Sequence, residues 1–457
     1  MTRLFSPADI IKSGLCIGCG SCVAQSSREG ARMSFDQHGF LRALGDKQWL
    51  GTPSEQFTST CPFSPAAAKE DTIAAVLYPD APHMDNQLGR YQSAYVGYAA
   101  EEDFRMQGSS GGMVTWVATE LLRKRLVDGV AHVVAADPQS EGRFFKYRIS
   151  STEDEVRQGA KSRYYPIELS GVLDMIRSRP GRYAVVGIPC FIKAINLLRR
   201  NDPLFSERIV FTLGLFCGHM KSARFIESFA WQMNVPFEEI KSVEFRQKDP
   251  NRPANWYNAK LTLSNGQQVN RDWWHLADGD WGAGFFMNSA CNFCDDVVAE
   301  TADVSFGDAW VEPYSSDGKG TNVVVVRSLV VDDLVKNAII EGRLRLDVVN
   351  SEFVEQTQAA GFRQRREGLA FRLTWKRNGI QPDKRVQPSS DLPRNRKHIY
   401  RMRYYISSWS HKMSLLAKQF NMPQLYIKWA RAASAVYHGL AYQRGRIGAI
   451  MKKLHLA

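Results

Sequence analysis

Cys16-Ile17-Gly18-Cys19-Gly20-Ser21-Cys22 sets three thiols at two equal intervals, and a distant Cys61 stands directly before Pro62. Two intervening residues let successive sulfurs reach different metal atoms of one cluster. Glycine at positions 18 and 20 lets the backbone approach where a side chain would block it. Cys-x2-Cys-x2-Cys completed by a Cys-Pro is the pattern by which ferredoxins hold a [4Fe-4S] cubane. The expected ligands are therefore Cys16, Cys19, Cys22 and, from a distance, Cys61. A structural zinc competes, but four-cysteine zinc sites usually read as two separated Cys-x-x-Cys pairs.

The other four of the eight cysteines are Cys190, Cys217, Cys291 and Cys294. Cys190 follows Ile188-Pro189 after an apolar run over 183–186, and Cys217 ends another over 209–216. Both sit where strands should finish, the edge at which ligands gather in α/β sheets. Cys291-Asn292-Phe293-Cys294 would close a second cage from a loop. On spacing alone a second cluster and four small core residues both remain open. The first residues, Met1-Thr2-Arg3-Leu4-Phe5, carry no apolar signal region. The expectation is a chain in a reducing cytoplasm, where disulfides are rare, and at most peripheral to the inner membrane face.

At 457 residues, with 44% hydrophobic and 23% charged side chains, the chain should form two or three ordinary domains. Its net charge of +12 is uneven: residues 363–457 hold 21 Lys/Arg against 3 Asp/Glu, leaving a balance of −6 before them. Strand-like runs at 94–99, 129–136, 182–188 and 209–216 alternate with helix-like runs at 112–125, 169–177, 192–200 and 224–234. That alternation predicts an α/β core with a substantially parallel sheet. Runs over 259–263 and 267–271 around Asn265-Gly266 predict a hairpin. A strand–helix–strand over 322–327, 331–341 and 343–348 closes the core.

Gly108-Ser109-Ser110-Gly111-Gly112 opens a helix that includes Thr115, and exposed amides before a helix seat phosphate. It is neither a Walker nor a Rossmann loop, and a plain Gly-Ser helix cap explains it equally well. Lys161-Ser162-Arg163-Tyr164-Tyr165 offers cations and ring faces, or simply a solvated loop.

In this order, Cys16–Cys22, Gly108–Gly112, Gly187-Ile188-Pro189-Cys190, Leu215-Phe216-Cys217-Gly218-His219, Cys291–Cys294 and Ala302–Trp310 resemble the coenzyme F420 hydrogenase/dehydrogenase beta-subunit family. The resemblance implies an iron–sulfur flavoprotein with two [4Fe-4S] clusters and FAD. Its electron partner would be the deazaflavin coenzyme F420 or another two-electron carrier or substrate. By position, Gly108, Ser109, Ser110, Gly111, Gly112 and Thr115 would hold FAD phosphates. Lys161, Ser162 and Arg163 would lie near the flavin, and Cys190, Cys217, Cys291 and Cys294 would hold a cluster beside it. The expected fold class is α/β, α+β overall. It comprises a ferredoxin-like unit over 1–85, a mixed-sheet flavin and iron–sulfur core over 86–360, and a basic helical extension over 361–457. An acidic ferredoxin-like donor, or a partner oxidoreductase subunit, would load the N-terminal cluster. Candidate proton donors are His219, Asp295 and Asp308, each equally readable as a structural hydrogen-bonding residue.

The basic tail, with Arg394-Asn395-Arg396-Lys397-His398 and Arg401-Met402-Arg403-Tyr404-Tyr405, suits an anionic membrane surface or an acidic partner. It could equally be a helical extension packed on the body. No nucleic-acid fold accompanies it. If it is a separable membrane anchor, deletion from Arg394 onward should leave the cofactors bound.

Overall fold

The computed structural model describes residues 3–26 and 30–453, so the outermost ends of the first and last expected units lie outside it. Its centre is an eight-stranded mixed sheet. From edge to edge the strands are Leu344–Val348, Ser93–Ala99, Asn322–Val326, Val304–Asp308, Ile209–Leu215, Tyr183–Gly187, Gly129–Ala135 and Phe145–Ser150. Four of them, Gly129–Ala135 through Val304–Asp308, are parallel, with Ala131 opposite Val185 and Val304 opposite Leu213. The other four pair antiparallel. The sheet is thus less parallel than alternation alone predicts, because the chain returns through Asn322–Val326 and then uses Ser93–Ala99 beside it.

Alternation within the strands sorts the cores. Val130, Ala184, Val186, Leu213 and Val304 face one side, under Trp116, Leu121 and Val335. Ala131, Tyr183, Val185 and Ile209 face the other, under Leu173, Ile195 and Leu198. Residues such as Tyr183–Gly187 and Asn322–Val326 are buried along their whole length, as strands covered on both faces must be. The helices Met113–Arg123 and Leu329–Ile340 supply one cover, and Ser170–Ser178 and Pro189–Asn201 the other. The predicted hairpin forms as Asn258–Leu263 and Gln268–Asp272, with Gly266 at φ +86°, and Ile240–Gln247 extends it to three strands.

The cysteine-rich N-terminus shares its core with the sheet. Phe5, Ile10, Leu15, Ile17, Phe57 and Phe63 belong to the apolar cluster that contains Val185, Ile195, Leu369 and Ile380. Burying Phe57 or Phe63 there is worth about 2 kcal/mol each, stabilisation that a free-standing unit would lack.

The basic tail forms a helical hairpin, Arg394–Gln419 and Pro423–Tyr442, followed by Gly445–Lys453. One face of the first helix is buried at Ile399, Tyr400, Arg403, Ile406, Ser410 and Ala417. Ser410 Oγ accepts from Phe286 N at 2.9 Å, and His411 Nε2 meets Met287 O at 3.1 Å. From the second helix, Tyr426 donates to Asp278 at 2.8 Å and Ser434 to the Ala277 carbonyl at 2.7 Å. The helix therefore braces the segment that leads into Cys291. Deletion from Arg394 onward would thus also remove the contacts that hold this segment. No described helix is long and apolar enough to cross a membrane.

Candidate cofactor site

Cys16, Cys19, Cys22 and Cys61 line one pocket, walled by Pro7, Ile10, Leu15, Ile17, Phe57 and Phe63. The loop turns through Gly18 and Gly20 at φ +79° and +80°. A Cβ on Gly18 would stand 2.5 Å from the Leu41 carbonyl oxygen, so only glycine fits. Cys61 caps the short helix Glu55–Thr60, whose start is fixed by the Ser54 hydroxyl accepting from Phe57 N. Burial pushes the Cys19 thiol up to about 11, with Ser21 Oγ 3.3 Å from its sulfur. Burial also raises Cys22 and Cys61, and the neighbouring cysteines raise them further. Four thiolates lining one cavity repel one another unless a cationic centre sits among them.

The second set converges from three separate elements. Cys190 lies in the first turn of Pro189–Asn201, and Cys217 follows the strand Ile209–Leu215, its N–H donating to Val297 O at 2.9 Å. Cys291 and Cys294 come from the turn Ser289–Phe293 and its end. Met220 N points at Cys291 Sγ at 3.4 Å, as backbone amides do around cluster sulfurs. Burial raises Cys190 well above the thiol range, and Cys294, Cys217 and Cys291 add to it. Burial likewise takes Cys217 up to about 12 and Cys291 to about 11. All eight cysteines are free thiols. Among the described residues no three His, Cys, Asp or Glu converge as a single metal ion requires. A cubane asks for less, since each thiolate takes a different iron.

The two sets are neighbours. Tyr147, raised by burial, also feels Cys190 and Cys19, one from each set, and its hydroxyl donates to Val186 O at 2.8 Å. Beside the second set lies a residue that the sequence did not single out. Arg365 is 3% exposed and donates to the carbonyls of Cys217 and Gly218 at 2.7 and 2.8 Å. Its Nε and Nη1 are buried without a partner among the described residues. Burial opposes its charge, but Cys294, Cys217 and Cys291 hold it firmly protonated. A buried cation with two unpartnered nitrogens beside three of the four thiols fits a missing anionic group. No local pattern announces it: Arg365 is one of many tail arginines and lies 71 positions beyond Cys294.

The glycine–serine loop meets the second predicted segment directly. Ser109 Oγ accepts from Ser162 N at 2.8 Å, while Ser110 Oγ donates to Thr321 O at 2.9 Å. Gly112, at φ +82°, precedes the helix Met113–Arg123, and its Cβ would stand 2.4 Å from Phe104 O. Gly108 and Gly111 are also closely approached by backbone, and Thr115 is half-buried in the first turn. Lys161 takes φ +129°, a strained conformation for a side chain of its size, and pairs with Glu244 at 3.1 Å. Arg163 lies over the Phe145 ring, and burial lowers it to about 10. Two cations the sequence missed complete this corner. Lys248 donates to the carbonyls of Arg105, Ser110 and Lys319, and is brought down to about 7 by burial and then by Lys161 and Arg246. A small cleft is lined by Ser109, Arg246, Lys248, Trp256 and Tyr257. Its cations and aromatic faces have the chemistry that meets phosphates and flat rings.

Of the three proton-donor candidates, Asp295 is 1% exposed and paired with Lys384 and Arg385, each at 3.4 Å. Burial would raise it, yet Lys384, Arg385, Lys193 and Arg366 hold it far below the usual carboxylate range, so it has no proton to give near neutrality. Asp308 is clamped by Arg246 at 3.0 and 3.3 Å, a pairing that suits positioning. His219 differs. It is buried, stacked on Trp281 at 4.2 Å and 21°, and both ring nitrogens lack a partner among the described residues. Trp281 in turn meets Tyr164 at 4.6 Å, beside Arg163. His219, two residues after Cys217, thus meets Trp281, which meets Tyr164, two residues after the Ser162 that donates to Ser109.

Residues 94–174 match the model of the coenzyme F420 hydrogenase/dehydrogenase beta subunit N-terminal region, and residues 181–352 that of its C terminus; together they span more than half the chain. The coenzyme F420-dependent sulfite reductase of Methanocaldococcus jannaschii is 23% identical over 345 residues, 72% of this chain and 47% of that protein. The chain therefore spans about half the length of that curated relative. A chain from the F420-reducing [NiFe] hydrogenase complex of Methanosarcina barkeri superposes with a TM-score of 0.48 at 17% identity, over 62% of this chain and 92% of that one.

Proposed function

Since the chain belongs to the coenzyme F420 hydrogenase/dehydrogenase beta-subunit family, we propose that it is an iron–sulfur flavoprotein oxidoreductase exchanging electrons with a two-electron carrier, the deazaflavin coenzyme F420 being the first candidate. The observation that carries the reading is that cysteines of both sets pack around one apolar cluster containing Tyr147, while Trp281 meets both His219, near Cys217, and Tyr164, near Ser162. Cys16, Cys19, Cys22 and Cys61 would hold one [4Fe-4S] cluster; Cys190, Cys217, Cys291 and Cys294 would hold the other. Gly108–Gly112, Lys161, Ser162, Arg163 and Lys248 would hold FAD. Bound there, the clusters supply one-electron chemistry and the flavin both one- and two-electron chemistry.

The side chains then have distinct tasks. Arg246 and Asp308 fix each other and the ring of Tyr257, 4.8 Å from the Arg246 guanidinium. Phe57, Phe63 and Leu15 keep water from the first thiols, and Arg365 neutralises charge beside the second. His219 keeps both ring nitrogens unengaged, and burial with Lys221, Arg403 and Arg365 holds the ring neutral, so it would pass on a proton and not store one. A partner subunit or ferredoxin-like protein would deliver electrons at the N-terminal set; a chain without its own small-molecule turnover would be the relay form of the same reading.

Anaerobic mixing with reduced coenzyme F420 tests the proposal. The flavin absorption should bleach at substoichiometric enzyme with concurrent oxidation of the deazaflavin. Bleaching by dithionite but not by the deazaflavin would remove coenzyme F420 as the partner.

A further inference from the structure

We propose that the exposed face of the helix Arg394–Gln419 docks on the surface of an anionic lipid bilayer. Arg401, Tyr405, Trp409, Lys412, Leu416 and Phe420 follow one another at steps of three and four residues, which puts them on a single helical line. All six are exposed. The opposite face is committed to the body through Ile399, Arg403, Ser410 and Ala417, so the stripe is presented permanently outward.

Its chemistry selects the occupant. Tyr405 and Trp409 stack at 5.5 Å and 28°, and Lys412 Nζ stands 5.0 Å over the Trp409 ring. Tyr and Trp with a cation beside them are side chains of headgroup depth, apolar in body and polar at the tip. At the end of the line Phe420 is 65% exposed and Met422 in the following turn 55%. Two unbranched or aromatic apolar side chains projecting from a turn suit insertion between acyl chains. Residues 394–457 contain 13 Lys/Arg and no Asp or Glu, so nothing on the tail repels an anionic surface. An acidic protein would match the cations but gives no reason for the projecting apolar tip. Since no described helix can cross a bilayer, the geometry is that of a helix lying on it.

The test uses the full chain, purified anaerobically with its cofactors, sedimented with vesicles of phosphatidylcholine alone or mixed with phosphatidylglycerol. The expected result is binding to the mixed vesicles only. Trp409→Ser, Phe420→Ser and Met422→Ser combined should weaken that binding at least about tenfold, since all three apolar contacts are lost. Arg401→Glu with Lys412→Glu should abolish it at moderate salt. All five positions are exposed, so iron content and thermal midpoint should stay at the parental values and report folding. Equal binding to neutral vesicles, or anionic binding indifferent to the serine variant, would overturn the proposal. Loss of binding to an acidic electron-transfer protein by the same variants, without any vesicle binding by the parent, would overturn it in favour of a protein partner.

Discussion

Replacing Cys217 by Ser should cut the iron of the anaerobically purified chain from about eight atoms to about four. The N-terminal set should remain filled, since Cys16, Cys19, Cys22 and Cys61 line a cavity of their own. Cys22→Ser should halve the iron in the complementary way. The size of the effect follows from burial: Cys22 and Cys190 sit where charge is strongly disfavoured, with other cysteines of their sets adding to the penalty. Three thiolates and a neutral hydroxyl in such a place hold a cubane poorly. Iron and acid-labile sulfide per chain are the readouts. Unchanged iron in Cys217→Ser would mean that the second set binds no cluster.

The second large effect is expected at Arg365. Arg365→Gln removes a buried positive charge held against the carbonyls of Cys217 and Gly218, within reach of three of the four thiols. A negatively charged cluster loses stabilisation mainly in its reduced, more negative state. Its potential should therefore fall by on the order of 60 mV, a tenfold change in a one-electron equilibrium. A redox titration followed by electron paramagnetic resonance reads this directly. The N-terminal cluster should keep its potential, and Arg365→Lys should recover part of the shift. A drop shared by both centres, or none in either, would contradict the assignment.

The parts legible in the sequence are those whose information is local. Cys16–Cys22 announces its loop through spacing and through glycines that the structure uses at positive φ. The strands Tyr183–Gly187 and Ile209–Leu215 are continuous apolar runs, buried from end to end or nearly so. Phe145–Ser150, by contrast, alternates apolar residues with Lys146 and Arg148, as suits a strand at the sheet's edge. Val304–Asp308 is short and carries Gly307, whose missing Cβ makes room for the Phe216 ring.

What stayed hidden depends on long-range packing. Arg365 and Arg403 carry no local signal, yet they reach segments about 148 and 121 positions earlier to support the cysteine loops. The union of the N-terminal unit with the sheet's core is equally invisible to periodicity. It rests on Phe57 and Phe63 finding Ile195 and Leu198. Asp295 reads from sequence as a proton donor or a structural residue alike, and only the three-dimensional placement of Lys384 and Arg385 shows its ion pairs.

The most direct test of two iron–sulfur centres serving one flavin is elemental and cofactor analysis of the full chain, isolated without oxygen. About eight iron, about eight acid-labile sulfide and one FAD per polypeptide are expected. A colourless protein carrying stoichiometric zinc, with neither sulfide nor flavin, would contradict the account and turn the same cysteines into the struts of a scaffold.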